Sequence, residues 1–579
     1  MENISSDILF VKEQLGKAEA ALGIGRKDNA SKILNDYLIG AIYQIFEKDT
    51  SNKELVYELA KLLVKVRREI RAVQCYMTIL EKESDAVTLN KLGNLYQYMG
   101  RLTDALEYQK KAVEAESHRP ELWANLARVL METGQIQNGI DLLRKAIDHM
   151  PENAHAHSNL LFRLHQLPQL DPKMLYDEHK KWAQKYAPIS LAKSSHGNNP
   201  DPDRKLKVGY ISPDFRMHPV AFFFEPLLDG HNRDAVEVYG YGNVAYPDTV
   251  TERFKSKFDN YRDIYQIDDK QVVNLIEEDQ IDILVDLAGH TSDNRLGVMA
   301  CKPAPVQVTY LGYSDTTGME AIDYRMTDSI TNPPQSQQYY SEKLVCLPGV
   351  FSCYRPLDFA PSLTPLPASQ KGHVTFASFN NSCKIHLPTV ELWAKILKAN
   401  DNSRMIIRFK GGDDEGVKQH WANQFEQLGI LQNRVDVGGW KSLADHLEIY
   451  SEVDIILDTY PFNGHTNTCE ALWMGVPTIS LIGQCHVSRF GLSMLSCVGL
   501  EFFAASTGDE YVKKAIVLAQ NLEALSILRR TMRGRISASG LCYSKGFGRK
   551  VEAAYRKMWH QWCQSKGVDI SKEHIELGV

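Results

Sequence analysis

Two stretches of this chain carry residue types at spacings suited to holding a diphosphate and stabilising its departure. The first is 454–483, DIILDTYPFNGHTNTCEALWMGVPTISLIG. Asp454 to Leu457 and Pro477 to Ile482 are apolar runs of strand length. Asn463-Gly464-His465-Thr466 is turn chemistry, and Thr466 to Met474 makes about two helical turns before Gly475 stops them. The loop of such a βαβ unit lies at the carboxyl end of its first strand, where open α/β sheets bind ligands. Backbone N–H groups and the positive end of the helix dipole face that loop. Glu470, one turn beyond Thr466, can share that helix face and accept hydrogen bonds from a ribose diol.

The second stretch is Asn380-Asn381-Ser382-Cys383-Lys384, which closes an apolar run at 374–379 and precedes a helix with Pro388 near its first turn. A lysine there can neutralise charge on a leaving phosphate. Further polar clusters sit at other strand-to-loop junctions. These are Ser212 to Pro219 with His218, Gly289-His290-Thr291, and the segment from Lys302 to Gly318. A lone histidine is usually structural, but two at junctions of one lobe point to function. Asp413-Asp414 in GGDDEG lacks companion ligands and reads as a solvated turn. There is no nucleophile triad, Walker A loop or GxGxxG fingerprint.

The elements that must position these residues fall into two patterns. The first ~150 residues have helical periodicity and repeat at an offset of 34 between 86–119 and 120–153. Leu92 aligns with Leu126, Gly93 with Ala127, Gly100 with Gly134, Ala105 with Gly139 and Ala112 with Ala146. Small residues at these spacings let antiparallel helices approach, the tetratricopeptide signature. A weaker copy starts near Lys53, and residues 1–52 read as a helical cap. The repeats and linker helices fill 53–187, with a further helix pair opening at Pro151.

Beyond the polar stretch 188–204, apolar runs alternate with helical segments. Strands are expected at 206–211, 236–241, 281–286 and 306–310, with a helix at 269–278. A proline-rich break (Pro356, Pro361, Pro365, Pro367) separates a second alternation, with strands at 374–379, 405–409 and 435–437 before the 454–483 unit. Two α/β lobes result, 205–355 and 370–545, with a ligand expected in their mutual cleft. The tail, 546–579, carries a long amphipathic helix at 547–564, whose end is expected to cross back onto the first lobe.

Composition sets the class. At 579 residues, with 44% hydrophobic and 24% charged, the chain reads as a multidomain globular protein. A net charge of −6 and scattered Lys and Arg argue against nucleic acid as a partner. The ten cysteines show no CxxC or zinc spacing, which fits reduced thiols in a cytoplasmic protein. The opening residues do not read as a signal peptide, and no run reaches the ~18 apolar residues of a membrane span.

The blocks HPVAFFF, DLAGHTSDNRLGVMACKPAPVQVTYLGYSDTTG, YSEKLVCLP, FASFNNSCKI and DTYPFNGHTNTCEALWMGVPT, preceded by tetratricopeptide repeats, resemble the O-linked N-acetylglucosamine transferase and SPINDLY family from about residue 50 to 560. The resemblance implies a helical tetratricopeptide solenoid followed by a GT-B glycosyltransferase of two Rossmann-like lobes, acting without a metal or other cofactor. It implies an inverting transfer of N-acetylglucosamine from UDP-N-acetylglucosamine to Ser or Thr of acceptor proteins, held as extended peptides by the concave face of the repeats.

By motif match, Lys384 stabilises the donor diphosphate, and His218 lies near the acceptor and sugar with His290 as a further catalytic residue. Gly464, His465, Thr466 and Asn467 form the diphosphate-binding helix start. Glu470 binds ribose, His446 packs on the base, Asn381 lies near base and diphosphate, and Gly318 joins the nucleotide-sugar set. The animal enzymes carry Thr, Asp and Tyr at the positions of Asn467, Glu470 and His290. These departures keep a SPINDLY-like O-fucosyltransferase using GDP-fucose as the alternative, while His465 agrees with the N-acetylglucosaminyl branch. A second alternative is a repeat scaffold with catalytically silent lobes. A GT-B enzyme acting on a small glycan or flavonoid gives the repeats no purpose. Self-association into a homo-oligomer is allowed for.

Overall fold

A computed structural model describes residues 2–23, 26–440 and 442–570. It divides into two compact units: residues up to Met150 with Lys410–Trp421, and Pro151–Phe409 with the residues from Ala422 onward.

The first unit is helical. Three antiparallel pairs follow the repeat: Lys53–Lys65 with Glu69–Lys82, Ala86–Tyr98 with Leu102–Ala115, and Pro120–Glu132 with Ile136–His149. The helices Glu2–Gly23, Lys27–Ile33 and Asp36–Lys48 precede them, where a cap is expected. The small repeat positions explain the close packing. Ala60, Ala72, Ala105, Ala112, Ala127 and Ala146 are wholly buried. A Cβ on Gly139 would sit 2.5 Å from Met131 Cγ and 2.7 Å from the Ala127 carbonyl oxygen. Gly139→Leu should therefore destabilise this unit by about 1–3 kcal/mol, read as an earlier transition in urea; an unchanged midpoint would show that the helix pair can spread.

One expectation is corrected here. Asp414 of GGDDEG is not a solvated turn residue. Its carboxylate accepts hydrogen bonds from the backbone N–H and the hydroxyl of Thr103, at the start of the Leu102–Ala115 helix. That helix has no side-chain cap of its own, so a distant carboxylate supplies one of its unpaired first-turn N–H groups with an acceptor.

The second unit holds two parallel sheets. In the first, β1 (Leu206–Ser212), β2 (Val236–Gly242), β3 (Asn260–Asp263), β4 (Ile283–Asp286), β5 (Val306–Thr309), β6 (Tyr324–Thr327) and β7 (Lys343–Cys346) lie in the order β3-β2-β1-β4-β5-β6-β7. In the second, β8 (Thr375–Ser378), β9 (Arg404–Arg408), β10 (Val435–Gly438), β11 (Ile455–Leu457), β12 (Thr478–Leu481) and β13 (Ala504–Ala505) lie in the order β10-β9-β8-β11-β12-β13. Both orders reverse once, between β1 and β4 and between β8 and β11. Such switch points open a crevice at the carboxyl ends of the strands. The two-lobed expectation therefore holds, and both crevices are bordered by the loops that the sequence singles out.

The helices Ala154–Leu164 and Pro172–Tyr186 belong to this unit, so the compact division falls near residue 150 and not at 187. The Ser544–Ser565 helix returns to the first lobe as expected. Glu552 Oε1 lies 2.9 Å from His231 Nδ1, the Tyr555 and Tyr210 hydroxyls are 3.1 Å apart, and the Trp559 indole N–H donates to the Asp201 carbonyl. Glycines make the approach possible: a Cβ on Gly548 would lie 2.2 Å from the Gly230 carbonyl oxygen. Residues 571–579 of the expected tail lie outside the described residues. Among the described residues, no helix is long and apolar enough to cross a membrane.

Candidate active site

Three strand-to-helix turns build the site. β1 runs into Pro213–His218 and then the Pro219–Gly230 helix, which His218 caps: its Nδ1 accepts from the Val220 N–H at 3.3 Å. Asp214 is buried, with Oδ1 3.4 Å from His218 Nδ1 and 3.5 Å from the Arg216 guanidinium. Burial raises the Asp214 carboxyl to about 6, with Asp293 adding to the effect and Arg216 opposing it. Burial, then Arg216, lowers His218 to about 4. At neutral pH His218 is thus uncharged, with its proton on Nε2, because Nδ1 is used as an acceptor.

β8 runs into Phe379–Lys384 and the Leu387–Lys398 helix. Lys384 Nζ donates to the Asn463 carbonyl at 3.2 Å and lies 3.8 Å from the centroid of the Phe462 ring. Burial lowers this ammonium to about 8, with Asp458 opposing the shift. The Asn381 side chain accepts from the Cys383 N–H, fixing the short turn that carries Lys384.

β11 runs into Asp458–His465 and the Thr466–Trp473 helix. Asp458 organises this loop. Its Oδ1 accepts from the N–H groups of Gly464 (2.7 Å) and Thr459 (2.9 Å), and its Oδ2 from the Ser480 hydroxyl (2.8 Å). Burial raises its carboxyl to about 6 against those bonds. His465 provides no side-chain cap, so Thr466 opens the helix facing the crevice. Further along this helix, Glu470 Oε2 lies 3.0 Å from His446 Nε2, and both residues are buried. Phe379 and the exposed Trp440 flank the His446 ring, whose Nδ1 has no partner among the described residues. The ammonium, the helix N-terminus and the imidazole–carboxylate pair line one crevice. That arrangement suits a phosphate linked to a polar group one helical turn away.

The profile described as "Glycosyl transferase family 41" matches residues 152–355 and 366–551, about two thirds of the chain. The chain belongs to glycosyl transferase family 41. A tetratricopeptide-repeat profile matches 98–164. Similar proteins include the probable UDP-N-acetylglucosamine–peptide N-acetylglucosaminyltransferases SPINDLY of Hordeum vulgare and of Arabidopsis thaliana. The barley protein is 42% identical over 71% of this chain and 44% of its own length; the Arabidopsis protein is 40% identical over 74% and 47%. This chain thus spans less than half the length of these relatives. Among solved structures, a Thermobaculum terrenum O-GlcNAc transferase mutant is similar with a TM-score of 0.84 and 32% identity, over 90% of this chain and 99% of that one.

In this family 41 chain, His218, Lys384, Asn381, His446, Gly464, His465, Thr466, Asn467 and Glu470 all lie on the loops and helices bordering the two crevices. Some are committed to partners other than a ligand. The Gly464 N–H is spent on Asp458, which leaves phosphate binding to the amides after it. Asn467 Nδ2 donates to the Phe379 carbonyl at 2.6 Å, tying the helix start to β8.

Two expected site residues lie elsewhere. His290 is buried, with Nδ1 3.0 Å from the Ser158 hydroxyl and Nε2 2.9 Å from the Thr317 carbonyl. Trp182, His179 and Tyr313 enclose its ring. Gly318, at φ +76°, lets the Pro172–Tyr186 helix approach: a Cβ there would meet the His179 carbonyl oxygen at 2.4 Å. Both residues belong to the joint between that helix and the first lobe. The sequence places them at a strand-to-loop junction, but the helix covers it.

The same joint holds His165, His179 and Asp315, whose ligating atoms lie within 4.8 Å of one another. Each is engaged in hydrogen bonds. His165 Nδ1 and His179 Nδ1 lie 3.0 and 2.6 Å from the carbonyls of Leu161 and Leu175, to which they donate. The Tyr313 hydroxyl donates to His179 Nε2, and His165 Nε2 lies 2.8 Å from Asp315 Oδ2. His165 Nε2 and Asp315 Oδ2 thus share one proton across a buried hydrogen bond. Although burial opposes it, the bond to His165 holds the Asp315 carboxyl below its ordinary range. Asp315→Ala leaves His165 Nε2 buried without this partner and should cost about 1–3 kcal/mol at pH 7. This contribution is present above the unfolded carboxyl value near ~4 and lost as pH falls through the lower folded value. A loss under 1 kcal/mol in denaturant melts would contradict a stabilising bond between Asp315 and His165.

Sequence reasoning overlooked Asp214 and Asp458. Each directly follows or closely trails a β-strand, which is the only signal that could have singled them out.

Proposed function

We propose that this chain transfers N-acetylglucosamine from UDP-N-acetylglucosamine to Ser or Thr hydroxyls of proteins, with inversion and without a metal. The observation that carries the reading is the bond from Lys384 to the Asn463 carbonyl, which holds a cation against the loop that opens the Thr466–Trp473 helix. The family assignment and the printed names of the relatives support the donor and the acceptor class. In the step, the acceptor oxygen bonds to the anomeric carbon as the bond from that carbon to the diphosphate oxygen breaks. Asp214 takes the hydroxyl proton, and Lys384 with the first-turn amides takes up charge on the diphosphate. The His218 Nε2–H donates to the acceptor or the sugar.

The repeats are proposed to hold the acceptor as an extended peptide. Free thiols at all ten cysteines suit a cytoplasmic setting. The test compares thermal stabilisation by UDP, UDP-N-acetylglucosamine, GDP and GDP-fucose, followed by transfer of label to protein with and without EDTA. A shift with the UDP pair and EDTA-resistant labelling is expected. A shift with GDP and GDP-fucose alone would overturn the donor, and abolition by EDTA would overturn the metal-independent step.

A further inference from the structure

We propose that His465 is a positioning residue, whose ring joins the donor-holding helix to the acceptor-holding helix. The inference rests on the function proposed above and adds a residue whose work is mechanical. His465 immediately precedes the Thr466–Trp473 helix, yet its side chain caps no N–H of that helix. The ring lies instead in a stack of phenylalanines. Phe223 is 4.1 Å away at 10°, Phe490 4.9 Å at 27° and Phe351 5.4 Å at 13°. Its Nε2 lies 3.2 Å from the Ser352 hydroxyl.

These partners come from different parts of the molecule. Phe223 lies in the Pro219–Gly230 helix that His218 caps, in the first lobe, and Phe490 begins a helix of the second lobe. Phe351 and Ser352 follow β7 at the end of the first lobe. One imidazole plane therefore sets the separation of two helix starts: one beside Asp214 and His218, the other at the proposed diphosphate seat. Burial and the nearby Lys384 lower its pKa to about 3, so the ring is a neutral aromatic plate at working pH. A neutral plate stacks on phenylalanine without the desolvation cost of a charge.

Loss of the plate should leave the donor seat intact, because Lys384 and the helix amides lie within one lobe. The acceptor hydroxyl would lose its alignment with the anomeric carbon, and a misplacement of about 1 Å costs about 100-fold in rate. The experiment compares wild type with His465→Ala and His465→Phe in the full chain, measuring kcat for label transfer and Kd for UDP. His465→Ala is expected to lower kcat about 100-fold with the UDP Kd within about threefold. His465→Phe, which keeps a flat ring and loses both nitrogens, is expected to recover at least about a fifth of the wild-type rate.

Equal loss in both variants, or a UDP Kd raised about tenfold in His465→Ala, overturns the proposal in favour of a ligand contact through the ring nitrogen. A second readout needs no transfer. Amide exchange at Val220–Phe224 in the ligand-free protein should rise about tenfold in His465→Ala and stay near wild type in His465→Phe; no rise in His465→Ala overturns the coupling. If the wild type transfers no sugar, the proposed function falls, and amide exchange alone decides the role of His465.

Discussion

Lys384→Ala is expected to lower kcat by about 10²–10³-fold, the usual cost of removing one preorganised donor from a developing anion. The fold should survive. The ammonium sits half-buried over Phe462 with one carbonyl acceptor; its removal takes a nearby cation from buried Asp458, but that carboxylate keeps its bonds from Gly464, Thr459 and Ser480, so the melting temperature should change little. The pH profile gives an independent check. Burial lowers Lys384 to about 8, and only the cation stabilises a leaving diphosphate. Wild-type kcat/KM should therefore fall as pH rises through about 8, well below the ordinary lysine range, and this alkaline limb should be missing from the residual activity of the variant. A variant with near-normal kcat, or an unchanged alkaline limb, would remove Lys384 from the reaction.

Asp214→Asn is expected to lower kcat by about 10²–10⁴-fold, the span of a positioned general base. The argument turns on proton positions. His218 accepts the Val220 N–H on Nδ1 and, with its pKa lowered to about 4, carries its single proton on Nε2. That edge can donate but cannot accept. Asp214, raised to about 6, is ionised at neutral pH and more basic than an exposed carboxylate. Activity should fall as pH drops through about 6 in the wild type, and Asp214→Asn should lose that acidic limb. His218→Ala, which removes one donated hydrogen bond, should cost only about tenfold and keep the limb. Should His218→Ala abolish the limb while Asp214→Asn keeps it, the roles exchange.

How much of this was legible in the sequence follows from where each residue is buried. Strands covered on both faces read as apolar runs, so β1, β2, β4, β5 and β8 to β12 were all anticipated to within two residues. Four were not: β3, β6, β7 and β13. β3, NYRD, is an edge strand with polar side chains, β7, KLVC, is partly exposed, and β13 has two residues. The repeats were legible because close helix packing demands small residues at fixed intervals, and Gly139 meets that demand literally.

The site was legible where chemistry and turn coincide, as at Lys384 and at the loop before Thr466. Asp214 falls within the Ser212–Pro219 cluster but is not singled out there, because its burial beside His218 is a tertiary fact. His290 and Gly318 present the opposite case. They share the carboxyl edge of the first sheet with Asp214 and His218, and nothing local reveals that the Pro172–Tyr186 helix covers that part of the edge.

The helix that crosses back onto the first lobe also sets a schedule for making the protein. Tyr210 in β1 waits for Tyr555, 345 residues downstream. At about 5–20 residues per second, that is on the order of 20 to 70 s of ribosomal synthesis. During that interval the nascent first lobe carries an open groove along Tyr210, His231 and Gly230, while the second lobe is still being made. The lobe that begins first is closed after its neighbour. Until the Ser544–Ser565 helix arrives, the hydroxyl of Tyr210 and the imidazole of His231 lack the partners Tyr555 and Glu552 that they meet in the folded protein.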